Sequence, residues 1–228
     1  MAWTPLESNP EVMNKFLSRL GVPEKWQIVD VLSLDQDMLG LIPRPTLALI
    51  LLFPSSEKYG KLKEEQEAKI LEKGQNISTN VYYLKQRVSN SCGSVALVHS
   101  VANNQDEIQL GDGFLKQFLE DIKSMDPDER GEAFENNSSF AIAHQDLAVE
   151  GQTEVPSDDN PPIHHFVAFI HKDGELYELD GRKAFPINHG PTTPETFIED
   201  AGKIMMEIMK TDPDNIAFTV CALAAKTD

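Results

Sequence analysis

The sequence predicts an α+β fold built on a mostly antiparallel sheet. Helical and strand patterns follow one another in mixed order rather than in regular βαβ alternation, which argues against a parallel sheet. One hairpin is signalled strongly: His165–His171 and Glu175–Asp180 alternate around the dipeptide Asp173-Gly174. The chain's 228 residues, 40% hydrophobic and 25% charged, are ordinary globular composition, enough for one domain that buries roughly 70% of its unfolded surface. We expect a single domain over 1–228.

Each element has a local cause. Asn9 can cap a first helix, Pro10 suits its first position, and Val12, Met13, Phe16, Leu17 and Leu20 form its apolar stripe before Gly21. Ile28–Leu32 and Thr46–Phe53 read as strands, the second apolar enough to be central. Lys58–Lys73 carries charges of both signs, as a solvated helix would, with a break expected near Gly60. Val81–Leu84 reads as a short strand ending near Gln86. The run from Cys92 is apolar on nearly every side, as in a buried helix. Phe114, Leu115, Phe118, Leu119 and Ile122 outline an amphipathic helix, and helical patches continue from Asp126 to Val149. Glu150–Pro162 turns polar and proline-rich, a loop long enough to suggest function. Thr193 is expected to cap the last helix, with Pro194 in its first turn and Phe197, Ile198, Ala201, Ile204, Met205 and Ile208 inward. Ile216–Leu223 reads as the closing strand.

Charge and cysteine usage narrow the function. Twenty Lys+Arg against 37 Asp+Glu give −17, which disfavours nucleic acid or an anionic membrane as partner and favours a basic protein or peptide. Two cysteines make no disulfide framework, and six scattered histidines give no metal-ligand spacing. The N-terminus lacks a signal-peptide pattern, and no apolar run approaches the ~20 residues of a membrane helix. These features predict a soluble protein of a reducing compartment, cytoplasmic or also nuclear, with free thiols.

Cys92 opens a helix after the polar turn Ser89-Asn90-Ser91, where the positive end of the helix dipole favours a thiolate. Gly93 beside it leaves room for a substrate to approach the backbone. A free cysteine is more often an inert filler, and Cys221, among Val220, Ala222 and Leu223, has that character. A nucleophile needs a base, an orienter and oxyanion donors. A two-residue turn at Asp173-Gly174 sets Lys172 opposite Glu175, hence Val167 opposite Asp180 and His165 opposite Arg182. His165, Val167, Asp180 and Arg182 then share one face, and His164 points to the other. His165 and Asp180 are thus available as base and orienter, with a surface ion pair the competing reading. Gln86, six residues before Cys92, can offer its amide to an oxyanion together with the Cys92 N–H. His99 reads as a core histidine, His144 and His171 as surface residues, and His189 as a loop residue able to support the site.

Taken together, Gln86-Arg-Val-Ser-Asn-Ser-Cys92-Gly, His165-Phe-Val-Ala, Leu176-Tyr-Glu-Leu-Asp-Gly-Arg-Lys183 and Phe185-Pro-Ile-Asn-His-Gly190 resemble the ubiquitin carboxyl-terminal hydrolase family of cysteine proteases. Pro5-Leu-Glu-Ser-Asn-Pro10 and Glu150-Gly-Gln-Thr-Glu154 resemble its short single-domain members. The resemblance implies a papain-like architecture with a knotted backbone, Cys92 as nucleophile, His165 as base and acid, Asp180 as orienter, Gln86 as oxyanion stabiliser and Asn90 as a supporting residue. It also implies hydrolysis after the C-terminal glycine of ubiquitin, releasing small or unfolded adducts, with related modifiers as further candidates and no cofactor. Residues 148–162 match the loop that crosses the active site. Pro5, Leu6, Glu7, Ser8, Asn9, Pro10, Glu150, Glu154 and Phe218 match segments that touch ubiquitin. Between Arg130 and Lys172 stand seven carboxylates (Glu132, Glu135, Asp146, Glu150, Glu154, Asp158, Asp159) and no Lys or Arg, an acidic rim suited to the arginines of the ubiquitin tail. A monomer is expected. The alternative is a ubiquitin-binding or stabilising protein of weak turnover.

Overall fold

Asp173 and Gly174 take φ of 49° and 82°, the left-handed pair that a tight hairpin turn demands, and Lys172 faces Glu175 across it. The structure, a computed structural model, describes residues 3–150 and 164–227. The loop expected over Glu150–Pro162 therefore lies, beyond Glu150, outside the described residues, as do Glu154, Asp158 and Asp159.

In chain order the elements are α1 (Pro10–Leu20), β1 (Trp26–Val31), α2 (Gln36–Leu39), β2 (Thr46–Pro54), α3 (Glu57–Lys73), α4 (Cys92–Ala102), α5 (Gln105–Ile108), α6 (Phe114–Asp121), α7 (Pro127–Asn136) and α8 (Ser138–Ala148). They are followed by β3 (His164–Lys172), β4 (Glu175–Leu179), β5 (Ile187–Pro191), α9 (Phe197–Lys210) and β6 (Thr219–Ala225). The strands form one sheet in the order β1-β6-β2-β3-β4-β5, every neighbouring pair antiparallel. The fold class is the expected one, with β2 in the interior of the sheet. Among the described residues no helix is long and apolar enough to cross a membrane.

Alternation along the strands feeds two cores. Ala48 and Ile50 of β2, Phe166, Ala168 and Ile170 of β3, and Cys221 and Leu223 of β6 pack under α1, α4, α6, α7 and α8. Their neighbours Leu49, Leu51, Phe53, Val167, Phe169, Val220 and Ala222 pack under α3 and α9 on the other face. α4 belongs to the first layer and is buried along all of its length, as its uniformly apolar composition requires.

Several boundaries differ from expectation for identifiable reasons. α3 runs unbroken through Gly60, because Ser56 caps it and Tyr59 anchors its first turn in the core. A Cβ at Gly60 would meet nothing within 4 Å, so the glycine lies on open surface and costs only its propensity. Val81–Leu84 is not a strand. The side chain of Asn103 takes the place of a neighbouring strand, accepting from Tyr82 N at 2.7 Å and donating to Tyr82 O at 2.9 Å. α9 begins at Phe197, not at Thr193: Thr193 closes a preceding turn, its carbonyl accepting from Thr196 N and Phe197 N. β1 starts two residues before Ile28 and stops short of Leu32, which is exposed. β6 starts three residues after Ile216, which is 90% exposed.

Candidate active site

The site lies at the end of the β3–β4 hairpin away from its turn, where the N-terminus of α4 arrives. The register derived from the sequence holds through Ala168–Leu179, and it carries His165 and Asp180 to the same spot beyond the last paired residues. His165 Nε2 stands 2.6 Å from Asp180 Oδ1, and both side chains are 1% exposed. The same carboxylate oxygen accepts from Arg182 N at 2.8 Å, and Oδ2 accepts from the Tyr59 hydroxyl at 3.0 Å.

Burial alone would raise the Asp180 carboxyl, but the charge and hydrogen bond of His165, the charge of Lys183 and the Arg182 N–H hold it well below the usual carboxylate range. Burial alone would lower His165, yet the charge and hydrogen bond of Asp180, joined by Cys92, lift it to about 9. Cys92 is 6% exposed at the first position of α4. Burial opposes its ionisation, but interaction with His165, a Phe166 backbone hydrogen bond and the Arg182 charge outweigh it and lower the thiol. The imidazole Nδ1 has no partner at hydrogen-bonding geometry among the described residues. The described arrangement is thus a buried thiol, an imidazole that influences its ionisation, and a carboxylate that fixes the ring.

Gln86 lies beside this group, not at a strand end but in an extended segment tied to the hairpin. Its N donates to Gly181 O at 2.8 Å. Its Nε2 donates to Val88 O at 3.0 Å, and its Oε1 is buried without a partner among the described residues. A Cβ on Gly181 would stand 2.9 Å from Gln86 Cβ and 3.0 Å from Val95 Cγ1, so only glycine allows this approach. Asn90 takes φ 66° and donates through Nδ2 to Trp3 O at 2.9 Å, pinning the N-terminal segment beside the cysteine. Gly93 does not leave the open space expected. Leu6 and Phe166 already fill it, and a Cβ there would lie 3.2 Å from Leu6 Cβ.

The N-terminal segment has structural as well as surface roles. Leu6 is a core residue, and Asn9 caps α1 through Glu11 N. Ser8 accepts from Thr219 Oγ1 at 2.8 Å, which ties Pro5–Pro10 to the start of β6. Phe218, half-buried, borders a hollow of about 500 Å³ with Leu32, Leu34, Met206 and Met209.

Three carboxylates of the expected acidic rim are neutralised. Glu135 pairs with Arg87, Asp146 with Arg19 and Glu150 with Lys15, at 3.4, 2.7 and 2.7 Å. The segment has no cations of its own, so α1 and the strand-like stretch before Cys92 supply them.

Two histidines are placed differently from expectation. His144 is buried, not on the surface. It bonds Ser94 and the Thr4 carbonyl and packs against Trp3 at 4.6 Å. His189 lies in β5, not a loop, and its Nε2 is 2.8 Å from Glu178 Oε2. His99 is a core histidine, as expected, with Nε2 against the Leu84 backbone. His171 is half-buried.

Tyr59 carries no motif that could have marked it in the sequence. It packs edge-on against Phe53 at 4.4 Å, and Phe53 packs edge-on against His165 at 5.9 Å.

A family model described as ubiquitin carboxyl-terminal hydrolase, family 1, matches residues 3–210. The chain is 49% identical over 225 residues to a ubiquitin carboxyl-terminal hydrolase of Drosophila melanogaster, covering 99% of this chain and 98% of that one. It is 43% identical over 224 residues to the human ubiquitin carboxyl-terminal hydrolase isozyme L1, covering 98% of each. The catalytic domain of Trichinella spiralis UCH37, solved bound to ubiquitin vinyl methyl ester, shares the fold with a TM-score of 0.78 at 23% identity, covering 99% of this chain and 97% of that one.

Proposed function

Because the chain belongs to the ubiquitin carboxyl-terminal hydrolase family 1, we propose that it is a cofactor-free thiol hydrolase cleaving amide, ester or thioester bonds after the C-terminal glycine of ubiquitin, with residues 1–228 as its catalytic domain. The observation that carries this reading is the Cys92–His165–Asp180 group: a thiol lowered at a helix start, against an imidazole held at 2.6 Å by a buried carboxylate.

The Cys92 thiolate attacks the glycine carbonyl carbon, forming an S–C bond and placing the electron pair on oxygen. The free amide hydrogen of Gln86 and the backbone N–H of Cys92, which has no helical acceptor at the first position of α4, stabilise that oxyanion. The C–N bond breaks as imidazolium His165 protonates the leaving amine. Water then gives one proton to His165 and adds its hydroxide to the acyl-enzyme. The C–S bond breaks, restoring the thiolate, and the ubiquitin carboxylic acid loses its remaining proton to solvent. Asp180 stays ionised throughout and holds the ring in place.

Ubiquitin docks on the side where Pro5–Pro10 meets β6. Glu7, Ser8 and Phe218 offer surface there, while buried Leu6 acts by holding the segment against Gly93. The −17 chain attracts the basic ubiquitin tail over longer range. Small adducts, unfolded chains and related modifiers are the candidate substrates, in the cytoplasm or also in the nucleus.

Ubiquitin carrying a thiol-reactive C-terminal group, followed by mass mapping, tests this reading. One ubiquitin on Cys92, absent in Cys92→Ser, is the expected result. No adduct, from a protein whose Cys92 reacts with small alkylating agents, overturns it. Labelling with negligible turnover of ubiquitin adducts would favour the stabilising protein over the hydrolase.

A further inference from the structure

Two flanks meet at the start of α4, which Cys92 opens. On one, Leu6 and Phe166 close over Gly93, and the N-terminal segment runs to Thr219. On the other, Gln86 N is bonded to Gly181 O, and beyond that bond opens a hollow of about 340 Å³. Its charge is opposite to that of the chain. Lys63, Lys85, Arg87, Arg182 and Lys183 line it against only two carboxylates, Glu67 and Asp128.

Part of that charge is already used. Lys85 pairs with Asp128 at 3.1 Å, Arg87 with Glu135, and Lys183 with the buried Glu178. Lys63 and Arg182 are different. Neither has a carboxylate within ion-pair distance among the described residues. The Lys63 ammonium donates to the Arg182 carbonyl at 2.7 Å, which brings its charge to the exposed Arg182 segment. Gln86 and Gly181 also line the hollow, and a Cβ on Gly181 would stand 3.0 Å from Val95 Cγ1, one turn into the helix that Cys92 opens, so the hollow borders the start of α4.

We propose that this hollow is a leaving-group site, in which Lys63 and Arg182 receive carboxylates carried by the first residues of the chain attached to ubiquitin. The inference rests on the hydrolase reading above and names its substrate class: short adducts that are acidic next to the scissile bond. Gln86 stands between the two flanks. The oxyanion therefore forms where the basic tail of ubiquitin, on the flank bearing Ser8 and Phe218, meets an acidic adduct on the other. An adduct that is basic at these positions meets two unpaired cations and is disfavoured.

The test uses three ubiquitin fusions with short C-terminal extensions that are identical except for acidic, neutral or basic residues just after the terminal glycine. Release is followed as kcat/KM at low and at moderate salt. The expected order is acidic, neutral, basic, spanning about tenfold at low salt and shrinking as salt screens exposed charges. In the double variant Lys63→Gln/Arg182→Gln the order should flatten, and Lys63→Glu, which changes the charge by the same two units, should move it the same way. Both changes keep the Arg182 backbone hydrogen bond to Asp180. Equal rates for the three fusions, or an order that survives in the double variant, overturns the leaving-group site. Failure to cleave any fusion overturns the hydrolase reading itself, and the site with it.

Discussion

The Tyr59 hydroxyl donates to Asp180 Oδ2 at 3.0 Å across a sequence separation of 121, and this bond closes a ring of contacts around the imidazole. Asp180 holds His165 by hydrogen bonding, Tyr59 holds Asp180, and Phe53 wedges between the Tyr59 and His165 rings. Burial and the Asp180 charge push the Tyr59 phenol well above its ordinary value, so it stays protonated and can only donate here. α3 thus reaches the Cys92–His165–Asp180 group from the opposite face of the sheet and holds the Asp180 carboxylate.

Tyr59→Phe keeps the aromatic contact and removes only the hydrogen bond. A hydrogen bond to a buried charged group contributes about 1.5–3 kcal/mol, and stability should fall by that order. If Tyr59 positions Asp180, kcat falls about tenfold while KM for a ubiquitin adduct moves far less. Urea unfolding together with a kcat and KM determination checks this. Lost stability at unchanged kcat would reduce Tyr59 to a packing residue.

Activity should depend on pH through the Cys92–His165 pair. The thiol is lowered and the imidazole raised to about 9, so thiolate and imidazolium coexist between the two. The rate should therefore rise as the lowered thiol ionises and fall in the alkaline range as His165 loses the proton it gives to the leaving group. Asp180→Asn removes the charge that lifts His165 and should move the alkaline limb to lower pH. Profiles of kcat/KM for both proteins decide it, and an unmoved limb would show that Asp180 does not set this pKa. His165 also adds a stability term of definite sign. Its folded pKa is raised, so its contribution is complete below about 6.5 and is lost as pH rises through about 9.

Two other buried histidines, His99 and His144, act in the opposite direction. Burial lowers His99 and His144 to about 4, although backbone hydrogen bonds oppose the shift in both. Between that value and about 6.5 the unfolded chain binds protons that the folded chain does not, so stability falls as pH drops across this window. The loss is on the order of 3 kcal/mol for each histidine. Below pH 4.5 Glu178 adds to it. Its carboxyl is buried, yet Lys183 and His189 hold it down to about 2, so its contribution is lost as pH falls toward that value. Urea midpoints from pH 7 to 4.5 should decline steadily, and His144→Gln should show a shallower slope. A flat profile would mean that these rings are already protonated in the fold.

What the sequence revealed and what it hid divide along the range of the interactions. The α1 cap, the Asp173-Gly174 turn, the hairpin register and the helix that opens at Cys92 rest on neighbours in sequence, and each was legible there. His144 was misjudged because polar neighbours on α8 suggested solvent. Its partners, Trp3, Thr4 and Ser94, come from distant segments. The supposed strand at Val81–Leu84 failed for the same reason, since the amide that satisfies Tyr82 belongs to Asn103 at the far end of α4. The acidic rim was legible as a count of charges, but its pairing with Lys15, Arg19 and Arg87 was not. Tyr59 is the strongest case, because nothing near it marks it as a partner of Asp180.

Gly181 ties the hairpin to Gln86, the proposed oxyanion donor, and it tests whether Gln86 is held by backbone or by side chain. The Gln86 N–Gly181 O bond is 2.8 Å, and a methyl group on residue 181 would press on Gln86 Cβ, Val95 Cγ1 and the Gln86 N at 2.9, 3.0 and 3.1 Å. Two of those contacts are with Gln86 itself, and Val95 lies one turn into α4, so relief must move Gln86 away from the hairpin. Gly181→Ala should therefore cost about 1–3 kcal/mol in stability, the usual penalty of overpacking. It should lower kcat about a hundredfold, the size of effect seen when an oxyanion donor is misplaced. Gln86→Ala separates the two contributions: it removes the amide but leaves the N–H bond to Gly181 in place. Similar kcat losses in the two variants, with the larger stability loss in Gly181→Ala, would place the effect on the amide's position. A Gly181→Ala protein as active as the parent would show that the Gln86 amide is not needed where the structure holds it.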